Sequence, residues 1–152
     1  TITPALTVTG IATMTERIKM ATGKPVIEGM VTVPLVTLTE LTSGATVTYT
    51  AAQVVGGFIS DTITAACAAT LPAPASIVTA VPGAVVGSSF LFILKNLAAS
   101  AIAITLTANG ASTIVGTATV AQSNAKIFLA KITNVTATTE AVVFYSIGTM
   151  VF

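Results

Sequence analysis

Ala101-Ile102-Ala103-Ile104-Thr105-Leu106-Thr107-Ala108-Asn109-Gly110 is the stretch that decides the fold class. Its side chains alternate with period two up to Thr107, the periodicity of a strand and not the 3.6-residue repeat of a helix. Asn109-Gly110 then closes the run, and Asn-Gly between apolar segments predicts a hairpin. The same alternation recurs at Leu6-Thr7-Val8-Thr9, Val31-Thr32-Val33 and Val36-Thr37-Leu38-Thr39. Threonine occurs 28 times, and β-branched Thr and Val suit a pleated, half-buried surface. A strand with Thr on one face and aliphatics on the other is amphipathic without any charge.

Working outward, Ser88 to Lys95 reads as a strand ending at the turn former Asn96. Thr113 to Val115 follows the Asn-Gly turn, Gly116 is placed as a bulge, and Thr117 to Val120 continues. Ala125 to Ile132 and Ala141 to Ile147 are further strands, after a turn at Gln122-Ser123-Asn124 and a loop over 134–139. Two short helices interrupt the pattern. Thr50-Ala51-Ala52-Gln53 has capping-box spacing, and Gly56-Gly57 stops that helix. Pro74 suits the first position of a second helix running to Val81, ended by Pro82-Gly83. Short strands at regular spacing with polar turns predict an all-β fold, a β-sandwich or jelly-roll-like body with one or two short helices.

Charge divides the chain. Lys, Arg, Asp and Glu make up 7% of its 152 residues, where a soluble domain carries about 25%. Hydrophobic residues reach 53% and the mean hydropathy is +0.95. Glu16, Arg17, Lys19, Lys24, Glu28 and Glu40 place six of the eleven charges between 16 and 40. Residues 1–45 are therefore expected to form an extended N-terminal arm, and residues 46–152 the body. Solubility leans on exposed, interspersed charge, so a surface this neutral is expected to be covered by other protein, most simply by copies of itself.

Several function classes drop out. The net charge is +1 with no basic run, so nucleic-acid binding has no electrostatic footprint. Residues 62–94 and 96–125 are uncharged, but Pro72, Pro74 and Pro82 break the first stretch and Thr and Ser recur in both. No window supplies the ~20 mostly apolar residues of a spanning helix, and eight aromatic residues without Trp are few for the girdles of an outer-membrane barrel. No positively charged leader opens the chain at Thr1, and the missing initiator Met is expected to reflect trimming. With no His, neither a Ser-His-Asp nor a Cys-His arrangement is available. The carboxylates Glu16, Glu28, Glu40, Asp61 and Glu140 are scattered, and no Cys/His cluster offers a zinc site. No enzyme activity, cofactor or metal is expected. Cys67, among alanines, reads as a small buried filler. Asn134-Val135-Thr136 matches a glycosylation pattern but is read as a turn. The aromatics Phe58, Phe90, Phe92, Phe128, Phe144 and Tyr145 lie in apolar runs and are read as core, with Tyr49 the more exposed one.

From about residue 46 a string of short motifs carries a resemblance. These are Thr48-Tyr49-Thr50-Ala51-Ala52-Gln53-Val54-Val55-Gly56-Gly57-Phe58-Ile59, Thr70-Leu71-Pro72, Ile77-Val78-Thr79-Ala80-Val81-Pro82-Gly83 and Val86-Gly87-Ser88-Ser89-Phe90. Val115-Gly116, Ile132-Thr133-Asn134-Val135-Thr136 and Glu140-Ala141-Val142-Val143-Phe144-Tyr145 complete the string. Over roughly two thirds of the chain it resembles a β-rich structural domain of virions of tailed bacteriophages and large DNA viruses, found in capsid decoration (cement) proteins and fibre-like appendages. The resemblance implies a non-enzymatic, commonly trimeric protein on the capsid surface, partnered by itself and by a major capsid or other virion protein.

On this reading Arg17, Lys19, Lys24 and Glu28 are the candidate lattice contacts, because charge concentrates there. The apolar strand faces around Phe90, Phe92 and Phe144 are the candidate oligomer seam. An alternative is a self-assembling extracellular filament or fibre subunit whose strand Ile2 to Ala12 inserts into the next copy. A surface carbohydrate-binding module is a third reading, resting on Tyr49.

Overall fold

The computed structural model describes residues 36–152, which belong to a compact unit running Pro34–Phe152. The charge-based candidates Arg17, Lys19, Lys24 and Glu28, and the strand expected at Ile2 to Ala12, lie outside the described residues. The compact unit starts earlier than the boundary drawn at residue 46. Glu40 belongs to its first strand and points away from the core, so an isolated charge there marked an outward strand position, not an arm.

Among the described residues the fold is mostly β, with two sheets and two short helices. The first part of the chain winds. β1 (Thr37–Ser43) leads into β2 (Thr46–Thr48), and α1 (Ala51–Val55) returns the chain to β3 (Gly57–Ile63) beside β1. β4 (Cys67–Thr70) then lies beside β2, and α2 (Pro74–Ala80) returns the chain to β5 (Ser89–Asn96) beside β3. β6 (Ile104–Thr107) adds to β4. All of these pairings are parallel, and the strands alternate between the two sheets.

The second part pairs differently. β7 (Ser112–Val115), β8 (Thr119–Val120), β9 (Asn124–Asn134) and β10 (Ala141–Val151) follow. The six-stranded sheet has the order β1-β3-β5-β9-β10-β7 and the four-stranded sheet β2-β4-β6-β8. Five of the eight pairings are parallel, whereas a jelly roll is antiparallel. The hairpin expected at Asn109-Gly110 is not one. Gly110 takes a left-handed φ of 58°, but Asn109 does not, whereas the Asn-Gly hairpin turn needs it at both residues, and β6 and β7 belong to different sheets. The turn is a corner between sheets. Gly116 likewise has a left-handed φ of 92° but lies just past β7. The register shifts are in β10, at Ala141/Val142 and Ser146/Gly148.

Local chemistry sets both helices. Thr50 Oγ1 accepts from the Gln53 amide at 3.3 Å and Gln53 Oε1 accepts from the Thr50 amide at 2.7 Å, a complete capping box. Such a box satisfies two helix-end donors that have no partner within the helix. A Cβ on Gly56 would sit 2.8 Å from the Ala52 carbonyl oxygen, so only glycine fits where α1 ends. Pro74 begins α2, where its missing N–H costs nothing.

One core gathers side chains from both sheets and both helices, including Val54, Ile59, Ile77, Leu94 and Leu106. Phe92 stacks on Phe128 at 5.0 Å between centroids, and Phe144 meets Phe92 edge-on at 6.0 Å. These are the favoured geometries of aromatic pairs.

Candidate interaction surface

Each sheet turns one face to the core, and strand periodicity sends the alternate residues out. The register therefore fixes what each outer face presents. On the six-stranded sheet, Leu38, Phe58, Ile93 and Ile127 form one continuous outward row across β1, β3, β5 and β9. Leu91, Leu129, Tyr145 and Val115 form the next across β5, β9, β10 and β7. Leu38 is 56% exposed, Leu91 54% and Val115 49%; the other five are partly exposed. Ile147, at the irregularity in β10, is 56% exposed. An apolar groove of about 510 Å³ opens at one edge of this face, lined by Val36, Val55, Phe90, Leu91 and Leu129.

Among the described residues, charge sits only at the margins of the two rows. Lys95 flanks one side, with Glu40 beyond it on β1, and Lys131 flanks the other. Lys95 Nζ lies 4.1 Å from the Phe152 ring centroid, a cation–π contact.

The four-stranded sheet presents a different face. Its outward rows are Thr46-Ala68-Thr105-Thr119 and Thr48-Thr70-Thr107. Cys67, Ala69, Ile104, Leu106 and Val120 point the other way and are buried.

The reactive side chains are turned inward. Asp61 on β3 is wholly buried. Its Oδ2 accepts from Ser43 Oγ at 2.8 Å and from the Tyr49 hydroxyl at 3.0 Å, while its Oδ1 has no protein partner. Burial pushes the Tyr49 phenol well above its ordinary range, and the charge of Asp61 and the hydrogen bond to it push the same way. Burial, followed by the charge of Asp61, also raises the Cys67 thiol. A thiol held protonated is a poor nucleophile. Asn96, opposite Asp61 in the ladder, is fully buried and satisfied. It donates to the Ile102 and Val120 carbonyls and accepts from the Ala98 amide. Lys126 is nearly buried, its Nζ donating to the Thr117 carbonyl at 3.0 Å, and burial lowers its pKa. These groups tie strands and loops together, and Asp61, Tyr49 and Asn96 are closed to solvent.

Three sequence expectations change here. Phe58 and Tyr145, expected in the core, lie on the outward rows and outside the core cluster. Phe92 and Phe144 are fully buried inside the protomer, so their rings cannot line a seam between copies. Phe90 is partly buried and packs against the same core. The outward residues of the same strands, Leu91, Ile93 and Tyr145, are the ones at the surface. Because Phe90 to Leu94 is apolar at every position, alternation alone did not say which residues face in. Tyr49, expected to be exposed, is 0% exposed, held by an acceptor twelve residues away. Among the described residues no group of His, Cys, Asp or Glu side chains is arranged to hold a metal ion, and no helix is long and apolar enough to cross a membrane.

No family model matches the chain, and no curated protein or solved structure matches it.

Proposed function

We propose that this protein is a non-enzymatic structural subunit that works in assembled form, as a decoration (cement) protein on a virion surface. One observation carries the structural part of the reading: two apolar rows cross the outer face of the six-stranded sheet, on a chain with very little charge. Contiguous exposed apolar surface of this kind marks a contact site. Taken as the layers of a β-sandwich, the two sheets offer one such apolar face and one neutral threonine face. The sequence resemblance supplies the virion context, with a capsid protein as the lattice partner. Imaging native particles and weighing their components tests it: this chain is expected at repeated, regular positions on a coat. Finding it only as a free protein outside any particle would overturn the reading.

A filament subunit is the second reading, and a specific observation favours it. Among the described residues β1 and β2 end the two sheets on one side, β7 and β8 on the other. Following the pairings, β7 runs in the same direction as β1. Head-to-tail copies would thus extend the six-stranded sheet by a parallel pair, and heterologous contacts that do not close give open polymers. Light scattering separates the two readings, since discrete particles favour a coat subunit and concentration-dependent growth favours a filament.

A further inference from the structure

We infer that the outer face of the six-stranded sheet is a self-contact, where one copy of this chain packs against the same face of another. The inference rests on the structural-subunit reading and names the partner for its apolar face. Three observations carry it.

The first is composition against burial. Phe90 to Leu94, Ile127 to Ala130 and Val142 to Tyr145 are apolar at every position. Strands of that kind are buried on both faces, while one-sided strands alternate apolar with polar. The core of the protomer takes one set: Phe92, Leu94, Phe128, Ala130, Val142 and Phe144 are fully buried. The other set, Leu91, Ile93, Ile127, Leu129, Val143 and Tyr145, remains partly or largely exposed. The central strands are built for two covered faces, and among the described residues the core covers one.

The second is size. Six strands whose neighbour pairs run from four residues, β3 with β5 and β10 with β7, to ten, β10 with β9, give a face of about 29 Å by 21 Å, roughly 600 Å². A stable interface buries about 800 Å² on each partner. One whole sheet face therefore supplies most of what is needed.

The third is charge. The face carries no single-sign field, so it selects no nucleic acid or anionic surface. It does suit itself. The centre of the sheet lies between β5 and β9. A two-fold axis through that centre, along or across the strands, sets each Lys95 and each Lys131 opposite the Ala125 or Ser89 position of the other copy. Neither lysine meets a lysine, and apolar row meets apolar row.

Sedimentation of the full chain tests this. Wild-type protein is expected to sediment above its chain mass of 15.2 kDa. The double substitution Leu91→Lys with Leu129→Lys should reduce it to single chains that still unfold cooperatively, since both side chains point away from the core. Thr48→Lys with Thr107→Lys, on the four-stranded sheet, should leave association intact. Should the first variant fail to fold, Leu129→Cys decides: a bismaleimide spanning about 10 Å, the spacing of packed sheets, should link copies through this position, while with Thr107→Cys it should not. Wild-type protein that sediments as single chains would overturn the inference. So would association that survives the paired Leu→Lys change, or that is lost only with the Thr→Lys pair. The latter two results leave the coat reading to the particle images.

Discussion

The outer faces of the two sheets use the same short menu of residues and come out opposite. On the six-stranded sheet the outward rows are Leu, Phe, Ile, Tyr and Val; on the four-stranded sheet they are Thr, with one Ala. Register makes the difference. Thr46-Val47-Thr48 and Thr105-Leu106-Thr107 put one aliphatic inward between two outward threonines. Phe90-Leu91-Phe92-Ile93-Leu94 has nothing polar to turn outward. The first kind of strand turns hydroxyls outward, and the second leaves apolar side chains on its outer face. A neutral chain can thus be wetted on one side through hydroxyls while its other side stays apolar.

This contrast can be broken from the inside out. The largest effect is expected beneath the six-stranded sheet. Phe92→Ala removes the ring that touches both Phe128 and Phe144 and should cost about 3–5 kcal/mol in urea unfolding. Leu91→Ala, one position along and facing out, should cost an associated sample its assembly far more than it costs a single chain its stability. Equal losses of stability at the two positions would erase the distinction between the faces.

Next comes the buried carboxylate. Asp61→Ala orphans the Ser43 and Tyr49 hydroxyls together, at about 1–3 kcal/mol each. Asp61→Asn keeps an acceptor oxygen and should lose less. A smaller effect is readable in pH. Tyr49 holds its proton to higher pH in the folded chain than in the unfolded one, where the phenol titrates near 10. Above that value the unfolded state binds fewer protons, so stability falls as pH rises, by at most about 1.4 kcal/mol per pH unit. Tyr49→Phe should remove that slope and leave neutral-pH stability lower by about 1 kcal/mol. The smallest effect belongs to the threonine face, where Thr107→Val should change stability by within about 0.5 kcal/mol.

What the sequence disclosed was whatever chemistry is local. The capping box at Thr50 and Gln53, the start of α2 at Pro74, and β5, β9 and β10 were all readable from neighbours in the chain. What it hid were choices made between distant residues. Asn109-Gly110 allows a hairpin turn but does not impose one: only Gly110 turns left-handed, and the flanking strands part to different sheets. β1, β2 and β4 are short and thread parallel to strands far along the chain, which leaves no turn signal between partners. Tyr49 is buried because of Asp61, and nothing at position 49 names position 61. The apolar outer rows were present in the letters, but only the register divided Phe90 and Phe92 from Leu91 and Ile93.

The parallel winding carries a consequence for synthesis. Thr37 pairs with Gly57, and Phe58 with Ile93, so each rung closes a long loop before any pairing rewards it, which slows folding. Among the described residues the only strands joined by a short connection to their direct neighbour are β9 and β10. β5, in turn, is flanked on one side by β9. A nascent chain therefore exposes the free edge of β5 until β9 and β10 have followed it from the ribosome. Stalled or truncated products lacking that pair should be the species that chaperones hold and that aggregate first.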